Sequence, residues 1–312
     1  MSSLPPGSVP LSAPPLVSIV IPAYNERYFG EALASAIAQQ GVELEILVSD
    51  DSPGTAIEKT VATANDPRVR YVRNPSRLGF AGNFTQCFTS ARGEMVKFLN
   101  DDDRLRPGCV AAMAAVLAAN RGVMLVTSRR FPIDASGARL PDPAATMPIS
   151  MVSAMMSGRE LGDFVMAHSV NLIGEPTTAM FRRADISLED GLLFRWGGHD
   201  YHCLADMSLW MRLMAKGSAY YFAPALSEFR MHPGQEQLRA GVRVSCLVER
   251  LWMVREARTL GFLAAPQVLK ASLASLRSRI VPSIGAPFLL EGEDATLRGL
   301  LAEVDGELAA LR

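Results

Sequence analysis

The chain is 312 residues long, with 49% hydrophobic and 20% charged side chains, enough apolar material for one sizeable α/β unit and too much for a disordered chain. Its 31 basic and 32 acidic residues leave a formal net charge of -1, so no bulk positive field marks a nucleic-acid partner. The four cysteines, Cys87, Cys109, Cys203 and Cys246, form no C-x-x-C pair and are expected as reduced, mostly buried thiols, as neither a zinc site nor a disulfide framework.

Met1 to Pro15 is rich in Ser and Pro and has neither a basic start nor an apolar run, so it reads as a flexible leader and not as a signal peptide. Val17 to Ile21 is a β-branched run stopped by Pro22, and Phe29 to Gln40 follows with apolar residues at helical spacing. The unit recurs: strand Glu45 to Ser49, helix Thr55 to Ala64, strand Val69 to Arg73, helix Gly79 to Ala91, strand Met95 to Leu99. Phe80, Phe84, Cys87 and Phe88 fall at i, i+4, i+7 and i+8, the stripe of a helix packed on a sheet. A helix to Asn120 and a strand Val123 to Ser128 complete a doubly wound α/β pattern, with a mostly parallel sheet whose ligands bind beyond the strands' carboxyl ends.

Regularity then fades. Pro132 to Pro148 reads as an excursion and Met151 to Ala167 as an amphipathic helix. Strands are expected at Thr178 to Phe181 and Ala219 to Phe222, around a helix Asp206 to Lys216, and the chain from Gln235 reads as a helical appendage broken at Pro266, Pro282 and Pro287. The organisation expected is therefore a catalytic domain over 16–233, divided near 128 into donor and acceptor halves, and a helical extension over 234–312. Cys109 to Ala119, the longest uncharged apolar stretch, is well short of the roughly 20 residues a membrane span needs.

Three polar clusters follow strands one, two and four: Pro22-Ala23-Tyr24-Asn25-Glu26, Asp50-Asp51-Ser52 and Asp101-Asp102-Asp103. The fold gathers at least five carboxylates at one crevice, and that much like charge calls for a cation or a polar ligand. Mg²⁺ or Mn²⁺ with a diphosphate answers the requirement, because these ions take one or two carboxylates and complete their shell with phosphate oxygens and water.

Val17 to Glu26, Asp50-Asp51-Ser52 and Phe98 to Asp103 together resemble the inverting glycosyltransferase family 2, of GT-A fold, over roughly Val17 to Pro233. The resemblance implies that Pro22, Tyr24, Glu26 and Asp51 line the nucleoside site, that Asp101 faces the ribose with Asp102 beside it, and that Asp103 holds the metal. Asn74 to Phe80 resembles the family's loop into the third helix, where Arg77 can approach the base or phosphates. Gly174-Glu175-Pro176 resembles its acceptor-side segment, implicating Glu175, although an ordinary turn uses the same Gly and Pro.

Ala205-Asp206-Met207-Ser208-Leu209-Trp210-Met211-Arg212-Leu213 resembles the family's E-D-x-x-L-W-x-R-L helix, with Ala205 in place of the first acid. The resemblance makes Asp206 the general base and sets Trp210 with the acceptor. A helix N-cap is the competing use of Asp206, and His199 or Asp200 the base if the alignment slips. Phe229 to Pro233 resembles a segment in which Arg230 reaches the diphosphate and His232 the metal.

The activity implied is inverting transfer from a nucleotide-diphosphate sugar, UDP first and dTDP next, to a saccharide or lipid-linked acceptor, in bacterial surface polysaccharide assembly. The setting is cytoplasmic, with peripheral contact at the inner membrane face or a homodimer as alternative uses of the amphipathic carboxyl-terminal helices. A nicotinamide dehydrogenase is excluded because no glycine stands between Pro22 and Glu26. A sugar-phosphate nucleotidyltransferase lacks its Gly-rich basic loop, and the Ala205 departure keeps a catalytically weak nucleotide-binding module in play.

Overall fold

The computed structural model describes residues 17–233 and 241–311; the expected leader lies outside the described residues. Strands β1 (Val17–Ala23), β2 (Leu44–Asp50) and β3 (Val69–Arg73) alternate with helices α1 (Glu26–Ile37), α2 (Ala56–Ala64) and α3 (Gly79–Ser90), and β4 (Met95–Phe98) returns beside β1. β1 and β2 are buried at every position, which is why they read as unbroken apolar runs without alternation. Pro22 is tolerated in β1 because pairing with β4 ends at Val20, so its missing N–H interrupts no ladder there.

The chain continues through β5 (Arg104–Leu105), α4 (Cys109–Ala119), β6 (Val123–Ile133), β7 (Ala154–Met156), α5 (Gly158–His168), β8 (Met180–Arg182), β9 (Arg195–Trp196), β10 (His199–Asp200), α6 (Ala205–Met214) and β11 (Ser218–Arg230). Helices α7 (Val242–Thr259), α8 (Pro266–Ile280) and α9 (Glu293–Ala309) close it. The sheet runs β3-β2-β1-β4-β8-β6-β11-β5, with β7 added on β11. β1 to β4 are mutually parallel, β8 is antiparallel between β4 and β6, and β11 is parallel to β6. The carboxyl ends of β1, β2, β4 and β11 therefore share one edge, and everything discussed below as a site is built there.

Several expectations need correction. β6 and β11 run on to Ile133 and Arg230, well past the predicted strands, because they pair with each other along that length. Met151 to Ala167 is not one helix: Ala154–Met156 joins the sheet, and Ser157 caps α5 by accepting from the Glu160 amide. Gly158 marks that boundary, since a Cβ there would lie 2.0 Å from the Gly217 carbonyl oxygen. Phe84, Cys87 and Phe88 are core as expected, whereas Phe80 is 42% exposed and stacks on Phe194.

The cysteines also divide. Cys87 and Cys109 are buried thiols, but Cys203 and Cys246 form a disulfide, with 5.2 Å between their Cα atoms. They are 43 positions apart and meet only because α7 packs over the loop before α6, a proximity that spacing does not announce. The carboxyl-terminal helices share one continuous core with α5, α6 and the sheet, including Val165, Trp210, Val254, Leu273 and Leu297. No helix among the described residues is long and apolar enough to cross a membrane.

Candidate active site

At the ends of β1, β2 and β3 lies a cleft of about 480 Å³ lined by Tyr24, Asp51, Ser52, Arg73, Asn74 and Arg77, among others. The Arg77 guanidinium sits 4.6 Å over the exposed Tyr24 ring, a cation–π pair at the mouth. Asp51 is buried and accepts from the amides of Leu78 (2.7 Å) and Gly79 (2.9 Å) and from Asn74 Nδ2 (3.1 Å). Its carboxylate thus folds the 74–79 loop onto the start of α3 and builds the cleft wall. Pro22 and Glu26 do not line this cleft: Pro22 is buried within β1, and Glu26 points to solvent on the first turn of α1.

The acidic triplet is three differently used side chains. Asp101 Oδ2 accepts from the Tyr24 and Asn25 amides, both at 2.7 Å, tying the loop after β4 to the loop after β1. Burial, then the charge of Asp102, pushes its carboxyl up to about 7. Asp103 is 1% exposed and accepts on Oδ2 from Thr177 Oγ1 (2.7 Å) and Asn100 Nδ2 (3.1 Å), and on Oδ1 from the Arg230 amide (2.9 Å). Both oxygens accept from protein donors, so Asp103 ties the loop after β4 to Thr177 and to the end of β11.

Asp102 Oδ2 instead meets His232 Nε2 at 3.0 Å, and burial raises its carboxyl although His232 opposes the shift. Among the described residues no group of three or more His, Cys, Asp or Glu side chains is placed to hold a metal ion. Asp102 and His232 are the adjacent side chains that would hold a divalent cation if phosphate oxygens and water completed its shell. The diphosphate contact expected of Arg230 is corrected. The side chain is fully buried, pairs with Glu31 at 2.6 Å, donates to the Asp102 carbonyl at 2.8 Å and lies over the Tyr28 ring, so it steadies the triplet from beneath.

The segment 171–178 crosses from the triplet to α6. Thr177 holds Asp103 and accepts from the Asn100 amide (2.9 Å), while wholly buried Lys97 donates to the carbonyls of Thr177 and Ala179. Gly174, at φ +108°, allows the turn, since a Cβ would come 2.4 Å from Thr178 Oγ1. Glu175 pairs with buried Arg130 at 2.8 Å and accepts from Thr178. Trp210 is fully buried and donates from its indole to the Gly174 carbonyl (2.9 Å); it braces this segment from behind and does not face an acceptor.

Asp206 Oδ2 accepts from Asn171 Nδ2 at 2.7 Å and Oδ1 from the Met207 amide at 2.6 Å. Burial dominates these bonds and pushes its carboxyl up to about 7, with Glu175 adding and Arg130 opposing. Asp206 stands in the first turn of α6 but caps no distant amide. From α7, Glu249, 2% exposed, accepts from the amides of His202 (3.2 Å), Cys203 (3.2 Å) and Leu204 (2.8 Å), in the turn that leads into α6. A carboxylate thus reaches the start of the helix although Ala205 lacks one. His199 stacks on Trp252 at 4.3 Å and Asp200 pairs with Arg195, so neither joins this cluster.

Residues that motif reading missed are Asn171, Thr177, Arg130, Lys97 and Glu249. The last two left a signal, a charge inside an apolar strand and an acid among the apolar residues of a helix. The first three are ordinary in sequence.

Residues 18–187 match the family described as glycosyl transferase family 2. Uncharacterized protein MT1568 of Mycobacterium tuberculosis is 34% identical over 223 residues, 70% of this chain and 68% of that one. Succinoglycan biosynthesis protein ExoO of Rhizobium meliloti is 33% identical over 153 residues, covering 46% of this chain and 43% of its own length. The GalNAc(5)-diNAcBac-PP-undecaprenol beta-1,3-glucosyltransferase of Campylobacter jejuni is 32% identical over 103 residues, 32% of this chain and 33% of its own. Among solved structures, S. aureus TarS 1-349 superposes with a TM-score of 0.53 at 16% identity, over 95% of this chain and 88% of that one, which shows a shared fold. The chain belongs to glycosyl transferase family 2 and has its GT-A fold.

Proposed function

We propose that the chain transfers a sugar from a UDP- or dTDP-type nucleotide-diphosphate donor to a hydroxyl of a saccharide or lipid-linked saccharide, with inversion, in surface polysaccharide assembly. The observation that carries this reading is Asp206, a carboxylate oriented by Asn171 and poised near neutrality, coupled through the 171–178 segment to a cleft with an aromatic and an arginine at its mouth. A base with a pKa near the working pH combines a useful ionised fraction with proton affinity.

In the reaction, ionised Asp206 accepts the acceptor hydroxyl's proton as that oxygen forms a bond to the anomeric carbon, and the bond to the diphosphate oxygen breaks on the opposite face. One displacement inverts the centre. Asn171 holds the carboxylate in place throughout, and Trp210 fixes the Asn171–Gly174 turn. Asp102 and His232 would hold a Mn²⁺ or Mg²⁺ ion, which when bound supplies charge neutralisation for the departing diphosphate. Two relatives whose names state glycan biosynthesis or glycosyl transfer, and a TarS structure with UDP that superposes at a TM-score of 0.51 and 15% identity, support the donor and acceptor classes.

The experiment is thermal stabilisation by a panel of nucleoside diphosphates and nucleotide sugars, with and without Mn²⁺, on wild type and Asp102→Ala. A nucleotide-specific, metal-dependent shift lost in the variant is expected. No shift with any member, on folded protein, removes the reading.

A further inference from the structure

The acceptor side of Asp206 carries two cations that the mechanism does not use. On α7, Cys246, Glu249 and Arg250 fall at i, i+3 and i+4 and so share a face. Two of them fix where that face points. Cys246 is bonded to Cys203, and Glu249 takes the amides of residues 202 to 204. Arg250, half-buried on that face, is near enough to Asp206 for the carboxylate's charge to act on it.

Arg279, on α8, arrives from the other side. Its Nη2 donates to the Ser169 carbonyl at 3.1 Å, two residues before the Asn171 that holds Asp206. The rest of that guanidinium is exposed, and among the described residues neither arginine pairs with a carboxylate. Burial and the nearby charge of Arg279 pull Arg250 down to about 10, with Asp206 opposing. Arg250 does not pair with Asp206, whose oxygens accept from Asn171 and the Met207 amide.

Two like charges held together beside a reactive carboxylate, unpaired and partly desolvated, are costly until an anion joins them. A carboxylate is satisfied by one arginine fork, whereas a tetrahedral phosphate offers oxygens to two forks approaching from different helices. We infer that Arg250 and Arg279 form a phosphate-binding subsite for the acceptor next to Asp206, so that the hydroxyl to be glycosylated belongs to a molecule carrying a phosphate group. The acceptor role rests on the reading of Asp206 as base; the anion site itself does not.

The test is inorganic phosphate binding followed by ³¹P NMR on the full chain, comparing wild type with Arg250→Gln/Arg279→Gln, Arg250→Lys/Arg279→Lys and the donor-side Arg77→Gln. Affinity falls at least tenfold in the glutamine pair, recovers in part in the lysine pair and is unchanged in Arg77→Gln. Circular dichroism and Tm verify that each variant is folded. Equal binding in the glutamine pair, or loss in Arg77→Gln alone, overturns the proposal.

Transfer assays then separate the source of the phosphate. A soluble polyol-phosphate oligomer and a short-tailed lipid diphosphate sugar are offered beside a neutral oligosaccharide. A KM rise of at least tenfold for either phosphorylated acceptor, absent for the neutral one, supports the subsite and names its source. An equal rise for the neutral acceptor overturns the acceptor role. If no nucleotide sugar stabilises wild type while the arginines still bind phosphate, the transferase reading fails and the anion site stands.

Discussion

The donor and acceptor sides of the crevice use carboxylates in opposite ways. On the donor side Asp51 and Asp103 have both oxygens taken by neighbouring amide and hydroxyl donors, so each acts as a clamp that shapes a loop. On the acceptor side Asp206 has one side-chain donor and one local amide, and its carboxyl stands near 7. Burial raises the carboxyls of Asp103 and Asp206 alike, so what separates them is the set of donors, three from three segments on Asp103 against one side chain and its own next amide on Asp206. Asp102, which faces His232, sits with the second kind although its neighbour Asp103 belongs to the first.

The sharpest attack on that division is Asp206→Asn. Transfer is expected to fall by about 10²- to 10⁴-fold, the usual worth of a positioned base, while nucleotide affinity measured by calorimetry changes little. An equal loss in both would make Asp206 another clamp. The same variant has a stability signature. Folded Asp206 titrates near 7, above the roughly 3.9 of an unfolded aspartate, so the stability it contributes is complete below about pH 3.9 and is lost as pH rises through 7. Asparagine does not titrate, so the variant's Tm should gain on wild type between pH 4 and pH 8.

Asp103→Ala tests the clamp side. Three buried donors lose their acceptor, and unfolding in urea should show a loss of about 1–3 kcal/mol or more, with the metal-dependent thermal shift preserved. Asp102→Ala should reverse that pattern, abolishing the metal dependence at small cost in stability. Removing Asn171 is gentler: its bond favours the ionised carboxylate, so in Asn171→Ala the rise of kcat/KM, expected through about pH 7 in wild type, moves to higher pH. The smallest effect expected is at the exposed Arg77–Tyr24 pair, where Arg77→Ala should weaken nucleotide binding by about 0.5–1 kcal/mol.

The donor half was legible because its logic is local. Each strand-loop-helix unit announces itself by a β-branched run, and the acid that follows is placed by chain order alone. Which aspartate would be engaged could not be read, since Asp103 is held by Thr177 and by the Arg230 amide, from 74 and 127 residues away. The same limit concealed the Cys203–Cys246 bond, Glu249 over the start of α6 and the burial of Arg230. Trp210 misled for a different reason: its spacing from Asp206 was right, but a large aromatic at that position packs inward and only its N–H reaches the site segment.

Strand β11 closes the sheet against β6 and brings β5 beside it, pairing Leu105 with Ser227 and Arg104 with Glu228. The β5 contacts join positions more than a hundred residues apart and the β6 pairing positions more than ninety apart, which places them among the slow steps of folding. During synthesis, then, a nascent chain can fold β1 to β4 and the nucleoside cleft early, but Asp102 meets His232 only after residue 232 has left the ribosome. Until that moment Asp102 lacks its imidazole partner and Asp103 the Arg230 amide, and the last strand of the sheet is what completes the site.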